Sequence, residues 1–184
     1  MVSTVLLVVD VLNDFTGQHA DADRAALIEG INDLAAQVRG VDGQVIWVRQ
    51  EFAADLHDAF VGMRRDNDPV TIVGTEGAQL DRGLRIDDRD LTIVKKRYSA
   101  FFGTDLERIL PEPDEALIVM CGLNTHACVR TSVIDAYQRD YDVVVATDVT
   151  RSYDQEHHEI SLRYLGARIA RLKTNAEIAT LLHA

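Results

Sequence analysis

The chain is short of cysteines, of basic residues and of long apolar runs, and each shortage excludes a class of protein. Only two cysteines, Cys121 and Cys128, occur among 184 residues, which favours free thiols over a disulfide framework. Lysine and arginine number 19 against 30 aspartates and glutamates. The resulting net charge of −11 argues against nucleic acid or an anionic membrane surface as a partner. No apolar stretch approaches the ~20 residues that a membrane-spanning helix needs.

The composition that remains is that of an ordinary globular protein. Hydrophobic residues make up 47% of the chain and charged residues 27%, both typical of folded domains. This length suits one domain with a sizeable core, so we treat residues 1–184 as a single unit. The first residues show neither the basic region nor the cleavage pattern of a signal peptide, and we expect a cytoplasmic protein.

Six short apolar runs, rich in valine, isoleucine and leucine, are predicted strands. Most of them lack strict alternation, as expected for strands that are buried on both faces of a sheet. Helical patterns lie between many of them. This alternation predicts an α/β fold with three αβα layers around a mostly parallel, six-stranded sheet. The predicted strands are Thr4–Val9, Gln44–Val48, Leu91–Val94, Ala116–Cys121, Asp142–Ala146 and Arg168–Leu172.

Several sequence signals mark the ends of helices. One apolar stripe covers Leu27–Val38 and ends near Gly40. The sequences TDLE at 104–107 and TNAE at 174–177 match the capping box. Gly166 is predicted to end the helix that contains DQEHHEISLRYLG.

Three chemically different side chains follow the ends of predicted strands. Asp10 ends the first strand, Lys95 ends the third, and Cys128 follows the fourth after a sharp turn at Gly122. Ligands of open α/β sheets bind beyond the carboxyl ends of the strands, so we expect these groups to share one edge. Cys128 falls at or near a helix N-terminus, where amide groups favour a thiolate and can bind an oxyanion. We expect Lys95 to lower the thiol pKa further and Asp10 to accept the thiol proton.

Three blocks in this order carry a family resemblance: LLVVDVLNDF, IVKKRYSAFFGTDL and CGLNTHACVRTSVIDAY. They resemble the isochorismatase-like cysteine hydrolase superfamily, which includes nicotinamidases and N-carbamoylsarcosine amidase. The segment SYDQEHHEISLRYL also fits, so the resemblance covers nearly the whole chain. It implies an isochorismatase-like (Rossmann-like) fold and a catalytic triad of Asp10, Lys95 and Cys128. It also implies a cis peptide at Leu123–Asn124 and an oxyanion hole formed by the amides of Asn124 and Cys128.

The same resemblance implies the reaction and its requirements. It implies a hydrolase that cleaves a non-peptide C–N bond of a small molecule through a cysteine thioester. No cofactor is required, and a homo-oligomer is expected.

Two departures from the family pattern bear on the substrate. Leu12 replaces a glutamine that the first block usually carries, which we expect to alter local packing or the pocket lining. Nicotinamidases carry an Asp-x-His metal motif after the second strand, where this chain has Gln50 and Phe52. A displaced DLH sequence occurs at Asp55–His57, with no further histidine before Lys95. We therefore predict no metal site and favour the metal-free amidase branch, which acts on carbamoyl, ureido or simple carboxamide groups.

Other residues compete for these roles. Lys96 adjoins Lys95, but strand alternation sends it to the opposite face, where we expect it to be solvated. Cys121 lies within an apolar strand and is expected to be an inert core residue. Asp14 is expected to form a turn or cap a helix. The EHHE sequence at 156–159 resembles a metal site, but is more typical of a solvated helix with one inward histidine.

The pocket is expected to be lined by residues next to the triad blocks and by the long excursion Glu51–Arg89, a wall or lid with short helices. His126 is poorly placed as a base for the thiol, because it belongs to the same tight turn. Three other functions stay open: isochorismatase (vinyl ether hydrolysis), nicotinamidase, and a non-catalytic or redox-sensing family member. The candidate pocket residues are Phe15, Gln50, Arg97, Tyr98, Phe101 and His126.

Overall fold

The computed structural model describes residues 2–183 and contains a six-stranded sheet. Its strand order is β3-β2-β1-β4-β5-β6, and every neighbouring pair is parallel. The predicted α/β fold with a six-stranded, parallel sheet is therefore confirmed. The strands are β1 Ser3–Val9, β2 Gln44–Gln50, β3 Leu91–Lys95, β4 Ala116–Gly122, β5 Asp142–Thr150 and β6 Arg171–Lys173.

Helices cover both faces of the sheet, which gives the three predicted layers. Alternate residues of β1 enter two separate hydrophobic clusters, because successive side chains of a strand point to opposite faces. One cluster packs under α2 and α7 and the other under α5 and α6, and we call these sides the α2 face and the α5 face. No helix within residues 2–183 is long and apolar enough to cross a membrane. The helices are α1 Asn13–Thr16, α2 Asp21–Gly40, α3 Val61–Asp66, α4 Leu106–Ile109, α5 Arg130–Tyr137, α6 Gln155–Arg168 and α7 Asn175–Leu182.

One of the two predicted capping boxes forms. At the start of α7, Thr174 Oγ1 accepts a hydrogen bond from the Glu177 amide at 3.2 Å, and Glu177 Oε2 accepts one from the Thr174 amide at 2.8 Å. The box predicted at 104–107 is wrong. The Thr104 hydroxyl donates to the Ala100 carbonyl at 2.6 Å, and α4, a single turn, begins one residue later, after Asp105.

The predicted end of the helix before β6 is also wrong. Helix α6 continues through Gly166 to Arg168, and β6 begins at Arg171, three residues later than expected. A Cβ at Gly166 would lie 2.7 Å from the Leu172 side chain. Gly166 therefore does not end α6. Its missing side chain allows β6 to approach the helix closely.

The excursion Glu51–Arg89 contains one short helix, α3, among turns, where several short helices were expected. It is hydrogen-bonded to the segment that follows β1. The Asp81 amide donates to the Val11 carbonyl at 2.9 Å, and the Asn13 amide donates to the Gln79 carbonyl at 3.0 Å. The excursion is thereby anchored next to the carboxyl end of β1, where Asp10 lies.

Candidate active site

The structure brings Asp10, Lys95 and Cys128 together in a buried cluster. Lys95 Nζ lies 2.6 Å from Asp10 Oδ2 and 3.4 Å from Cys128 Sγ. The lysine also donates to the Arg97 carbonyl at 3.1 Å. Asp10 and Lys95 are fully buried, and Cys128 is only 5% exposed. Charges taken this far out of water are retained only when they are paired, so the ammonium and the carboxylate depend on each other.

Backbone geometry at the strand ends positions this cluster. Asp10 follows β1 in the left-handed region, with φ +51°, a conformation that aspartate tolerates better than most residues. Its amide donates to the Val48 carbonyl of β2 at 2.8 Å. Gly122 ends β4 with φ +116°, and a Cβ there would overlap the Val9 carbonyl oxygen. The sharp turn predicted at Gly122 is therefore one that only glycine fits.

The two oxygens of the Asp10 carboxylate have different surroundings. Oδ1 accepts a hydrogen bond from the Gln50 amide at 2.7 Å. Oδ2 lies 2.6 Å from the Lys95 ammonium and forms the buried ion pair with it. One oxygen is thus held by a backbone amide, while the other faces the lysine.

The pKa of the Cys128 thiol is shifted upward, contrary to the expectation from its helix position. Burial raises this pKa, and the negative charge of Asp10 raises it further, while Lys95 only partly opposes them. Burial alone would lower the pKa of Lys95, but Asp10 and Cys128 raise it above its usual value. Burial and Asp10 thus favour the protonated thiol, while Asp10 and Cys128 favour the protonated amine of Lys95.

The turn that carries Cys128 has the geometry implied by the family resemblance. The Leu123–Asn124 peptide bond is cis, as expected. It leads into a π-helical turn, Thr125–Val129, which continues into α5. Within residues 2–183, neither the Asn124 nor the Cys128 amide donates to a backbone carbonyl outside this turn. These two donors are the ones expected to form the oxyanion hole, and that role stays a prediction.

The rival residues occupy the places expected of them. Lys96 is 41% exposed at its side chain and pairs with Asp58 at 2.9 Å. Cys121 is fully buried, and burial raises the pKa of its thiol. In α6, His158 points inward and its Nδ1 lies 2.8 Å from Thr125 Oγ1, while His157 is exposed. These positions agree with structural roles for all four side chains.

Asp14 also has a structural role, although it caps no helix. Its Oδ2 accepts a hydrogen bond from the Thr71 amide at 2.7 Å. Asp14 therefore ties the excursion to the end of β1.

Gln50 is a candidate pocket residue whose backbone amide contacts the charged cluster, at Asp10. It is 5% exposed, and it pairs in register with Lys95 across β2 and β3. Its Nε2 donates to Thr71 Oγ1 at 3.3 Å, while its Oε1 has no partner among the described residues. No sequence pattern pointed to Thr71, because it lies in the weakly periodic excursion.

The aromatic candidates divide between the surface and the two cores. Tyr98 is 48% exposed, and its ring centroid lies 4.8 Å from that of Phe60. Phe101 is buried in the α5-face cluster that includes Cys128. Phe15 packs against the cluster on the α2 face. Contact of these rings with a substrate stays a prediction.

The remaining candidates contact neighbouring loops. Arg97 donates to the Asp58 carbonyl at 2.8 Å, and its guanidinium lies 5.2 Å from the Phe60 ring centroid. His126 Nδ1 lies 2.6 Å from Ser152 Oγ. Burial lowers the pKa of His126, and neighbouring His157 lowers it further. Pocket roles for Arg97 and His126 also stay predictions.

The positions that would hold a metal in the nicotinamidase pattern have other partners here. Gln50 bonds to Thr71, and Phe52 is fully buried in a small cluster with Leu56 and Ala59. The displaced Asp55 and His57 are exposed and contact each other at 2.6 Å. Within residues 2–183, no three histidines, cysteines or carboxylates are grouped as metal ligands.

The fold and the site define a class: a parallel α/β protein with a buried Asp–Lys–Cys cluster at the carboxyl edge of its sheet. The family model described as Isochorismatase domain matches residues 4–177. The chain therefore belongs to the isochorismatase family of hydrolases.

Individual relatives extend this assignment. An uncharacterized isochorismatase family protein of Escherichia coli O157:H7, YecD, is 29% identical over 98% of this chain and 96% of its own. A probable inactive nicotinamidase of Arabidopsis thaliana is 34% identical over 87% and 86%. The ureidoacrylate amidohydrolase RutB of Methylorubrum extorquens is 27% identical over 80% and 69%. An isochorismatase family protein from Desulfovibrio vulgaris has the same fold, with a TM-score of 0.88 at 24% identity over 100% of both chains.

Proposed function

We propose that this protein hydrolyses a non-peptide C–N bond in a small carbamoyl, ureido or carboxamide compound through a thioester at Cys128. The buried cluster carries the proposal: Lys95 Nζ lies 2.6 Å from Asp10 Oδ2 and 3.4 Å from Cys128 Sγ. A thiol beside a carboxylate that can accept its proton is the arrangement of an activated nucleophile. The activity for which RutB is named, ureidoacrylate amidohydrolysis, belongs to the same class.

The buried carboxylate of Asp10, paired with Lys95, supports the first step. Asp10 Oδ2 takes the thiol proton while Sγ attacks the substrate carbonyl, and the carbonyl becomes a tetrahedral oxyanion. Because burial and Asp10 raise the thiol pKa, we expect proton transfer to accompany the attack and not to precede it. The positive charge of Lys95 offsets the negative charge of the site throughout this step.

The later steps use the same groups. The amides of Asn124 and Cys128 donate to the oxyanion, which typically contributes about 3 kcal/mol per donor. As the C–N bond breaks, Asp10 returns the proton to the departing nitrogen. Water then attacks the thioester and gives a proton to Asp10. As the S–C bond breaks, Asp10 passes this proton to the sulfur, which restores both the thiol and the carboxylate. The products are an acid and an amine or ammonia.

Release of ammonia tests this function. We expect the wild-type protein to release ammonia from members of a carbamoyl, ureido and carboxamide panel that also includes nicotinamide. Cys128→Ala should abolish the release, because the other groups act only through the thiol. Cys121→Ala is the matched control, since it removes the other buried cysteine, and it should retain activity.

The same assay separates the other functions. Isochorismate is tested in parallel by its products, and turnover insensitive to Cys128→Ala would replace the proposal with vinyl ether hydrolysis. Absence of turnover of every compound would contradict hydrolysis and favour a non-catalytic family member. The name of the Arabidopsis thaliana relative suggests inactivity for that protein.

Self-association is a further part of the proposal. We propose a homo-oligomer because the family resemblance implies one, and the exposed rings of Tyr153 and Tyr164 offer apolar surface for such an interface. Light scattering on the purified protein gives the mass directly, and a monomer of 20.5 kDa would contradict this part.

A further inference from the structure

The Ser132 hydroxyl is a buried polar group that the proposed reaction does not use. Ser132 lies in the first turn of α5, four residues after Cys128, and is fully buried. Its Oγ donates a hydrogen bond to the Cys128 carbonyl at 2.7 Å. A bond from a helical serine to the carbonyl four residues earlier does not by itself stabilise a helix, so helix formation does not account for it.

The second partner of this hydroxyl lies on another part of the chain. Ser132 Oγ accepts a hydrogen bond from the amide of Ala100 at 2.9 Å, and Ala100 is itself fully buried. Ala100 belongs to segment 96–101, which directly follows Lys95 at the end of β3. One hydroxyl therefore joins the turn that carries Cys128 to the segment that follows Lys95.

The same segment also holds the Lys95 side chain. Lys95 Nζ donates to the Arg97 carbonyl at 3.1 Å and lies 3.4 Å from Cys128 Sγ. Ser132 and Lys95 thus bridge the same two parts of the chain, Ser132 through backbone groups and Lys95 through the sulfur. The distance between the ammonium and the sulfur therefore depends on how segment 96–101 is held against the Cys128 turn.

A second bridge joins this segment to α5 farther along the helix. Ser99 Oγ donates to the carboxylate of Asp135. Because Asp135 is three residues beyond Ser132, the two side chains lie on the same face of α5. Ser99 thus fixes the segment to the helix, whereas Ser132 bonds to Cys128 itself.

We propose that Ser132 is a positioning residue that holds Cys128 at contact distance from Lys95, by bridging the Cys128 carbonyl and the Ala100 amide. The inference rests on the proposed cysteine-dependent hydrolysis, in which the thiol reacts. Ser132 stands outside the triad and touches no reacting atom, so it acts through Cys128 and Lys95.

The alkylation rate of the Cys128 thiol reports this positioning. Lys95 lowers the thiol pKa, so a longer separation should raise the pKa and leave less thiolate. We expect Ser132→Ala to slow alkylation by iodoacetamide at a fixed, mildly alkaline pH by about 3- to 10-fold. A loosened structure would instead expose the buried thiol and speed the reaction. The measurements use a Cys121→Ala background, so that Cys128 is the one thiol in the chain.

Turnover gives a second readout. Ser132→Ala should lower kcat by about 10- to 100-fold with little change in KM, because a misplaced reacting group slows the chemical step. Ser132→Thr keeps the hydroxyl and should restore both kcat and the alkylation rate. Ser161→Ala is the matched control. Ser161 is also a buried helical serine, but its hydroxyl has no partner among the described residues, and we expect no change in either readout.

The outcomes separate this inference from the proposed function. In a Lys95→Met background, Ser132→Ala should not slow alkylation further, because the contact on which it acts is gone. Unchanged or faster alkylation in Ser132→Ala, or equal slowing with and without Lys95, would overturn the inference and leave hydrolysis standing. Absence of turnover of every compound would remove hydrolysis and, with it, a positioning role in that reaction. If Ser132→Ala does not fold, Ser99→Ala releases the same segment from α5 and should slow alkylation in the same direction, and an unchanged rate there would overturn the inference.

Discussion

The buried ion pair between Asp10 and Lys95 makes the strongest prediction about stability. Its two side chains are fully buried and 2.6 Å apart. Removal of one partner of such a pair leaves an uncompensated charge, which typically costs about 3–5 kcal/mol. We therefore expect Asp10→Asn and Lys95→Met each to lower the free energy of unfolding by that amount. For a chain of this length, the loss corresponds to a fall in Tm of about 6–20 °C.

The two substitutions are chosen to change charge and little else. Asparagine tolerates the left-handed conformation at position 10, and its oxygen can still accept from the Gln50 amide. Methionine retains most of the lysine stem. Because the double variant leaves no unpaired charge, it should be more stable than either single variant.

Urea unfolding of the four proteins measures this coupling. The exposed pair Arg171–Asp142 has the same 2.6 Å separation, and Asp142→Asn should cost only about 0–1 kcal/mol. The reasoning would be refuted if the loss of unfolding free energy in the double variant equalled the sum of the two single losses within about 0.5 kcal/mol. Substitutions at two interacting charges should not have additive effects.

The pH dependence of Asp10→Asn gives a second check on the same pair. Burial lowers the pKa of Lys95, and the variant lacks the carboxylate that opposes this effect. The unfolded chain then binds more protons than the folded one, so stability should rise as the pH rises. The penalty of the substitution should be largest below the folded pKa of the lysine.

Three further predictions follow from single features. The pKa of the Cys128 thiol, measured by the rate of iodoacetamide alkylation against pH, should lie above its ordinary value, and Asp10→Asn should lower it; an unchanged titration would exclude the contact. Gly122→Ala should cost more than ~2 kcal/mol in urea unfolding, since φ is +116° and its Cβ would overlap β1, whereas Gly40→Ala has open space and should cost little. Thr174→Ala should cost about 1 kcal/mol in thermal unfolding through loss of the capping box, and no change in Tm would contradict that box.

The strand ends were predictable because parallel strands bring their carboxyl ends to one edge. Asp10 and Lys95 each end an apolar run, and that position alone indicated a shared site. The prediction that α6 ends at Gly166 was wrong. This glycine allows close contact with Leu172, and no local sequence pattern reveals that contact. Tertiary packing, not propensity, decided that boundary.

The side-chain environment was less predictable than the fold. The positive φ of Asp10, the bond from Gln50 to Thr71 and the burial of Cys128 all depend on contacts between distant segments. The expected fall in the thiol pKa was argued from a helix N-terminus and one lysine. The lysine does lower this pKa, but burial and the Asp10 charge raise it by more, so only the expected net direction was wrong.

The direction of that thiol pKa also bears on the choice between hydrolysis and redox sensing. A redox-sensing cysteine reacts as a thiolate and is accessible to solvent. Cys128 is 5% exposed, and its raised pKa keeps it a thiol at rest. The other cysteine, Cys121, is fully buried in β4 and offers no resolving thiol at the surface. In the proposed reaction, Cys128 passes its proton to Asp10 as it attacks a bound carbonyl carbon, and this step needs neither solvent access nor a resolving cysteine. The buried position of Cys128 therefore favours hydrolysis over redox sensing.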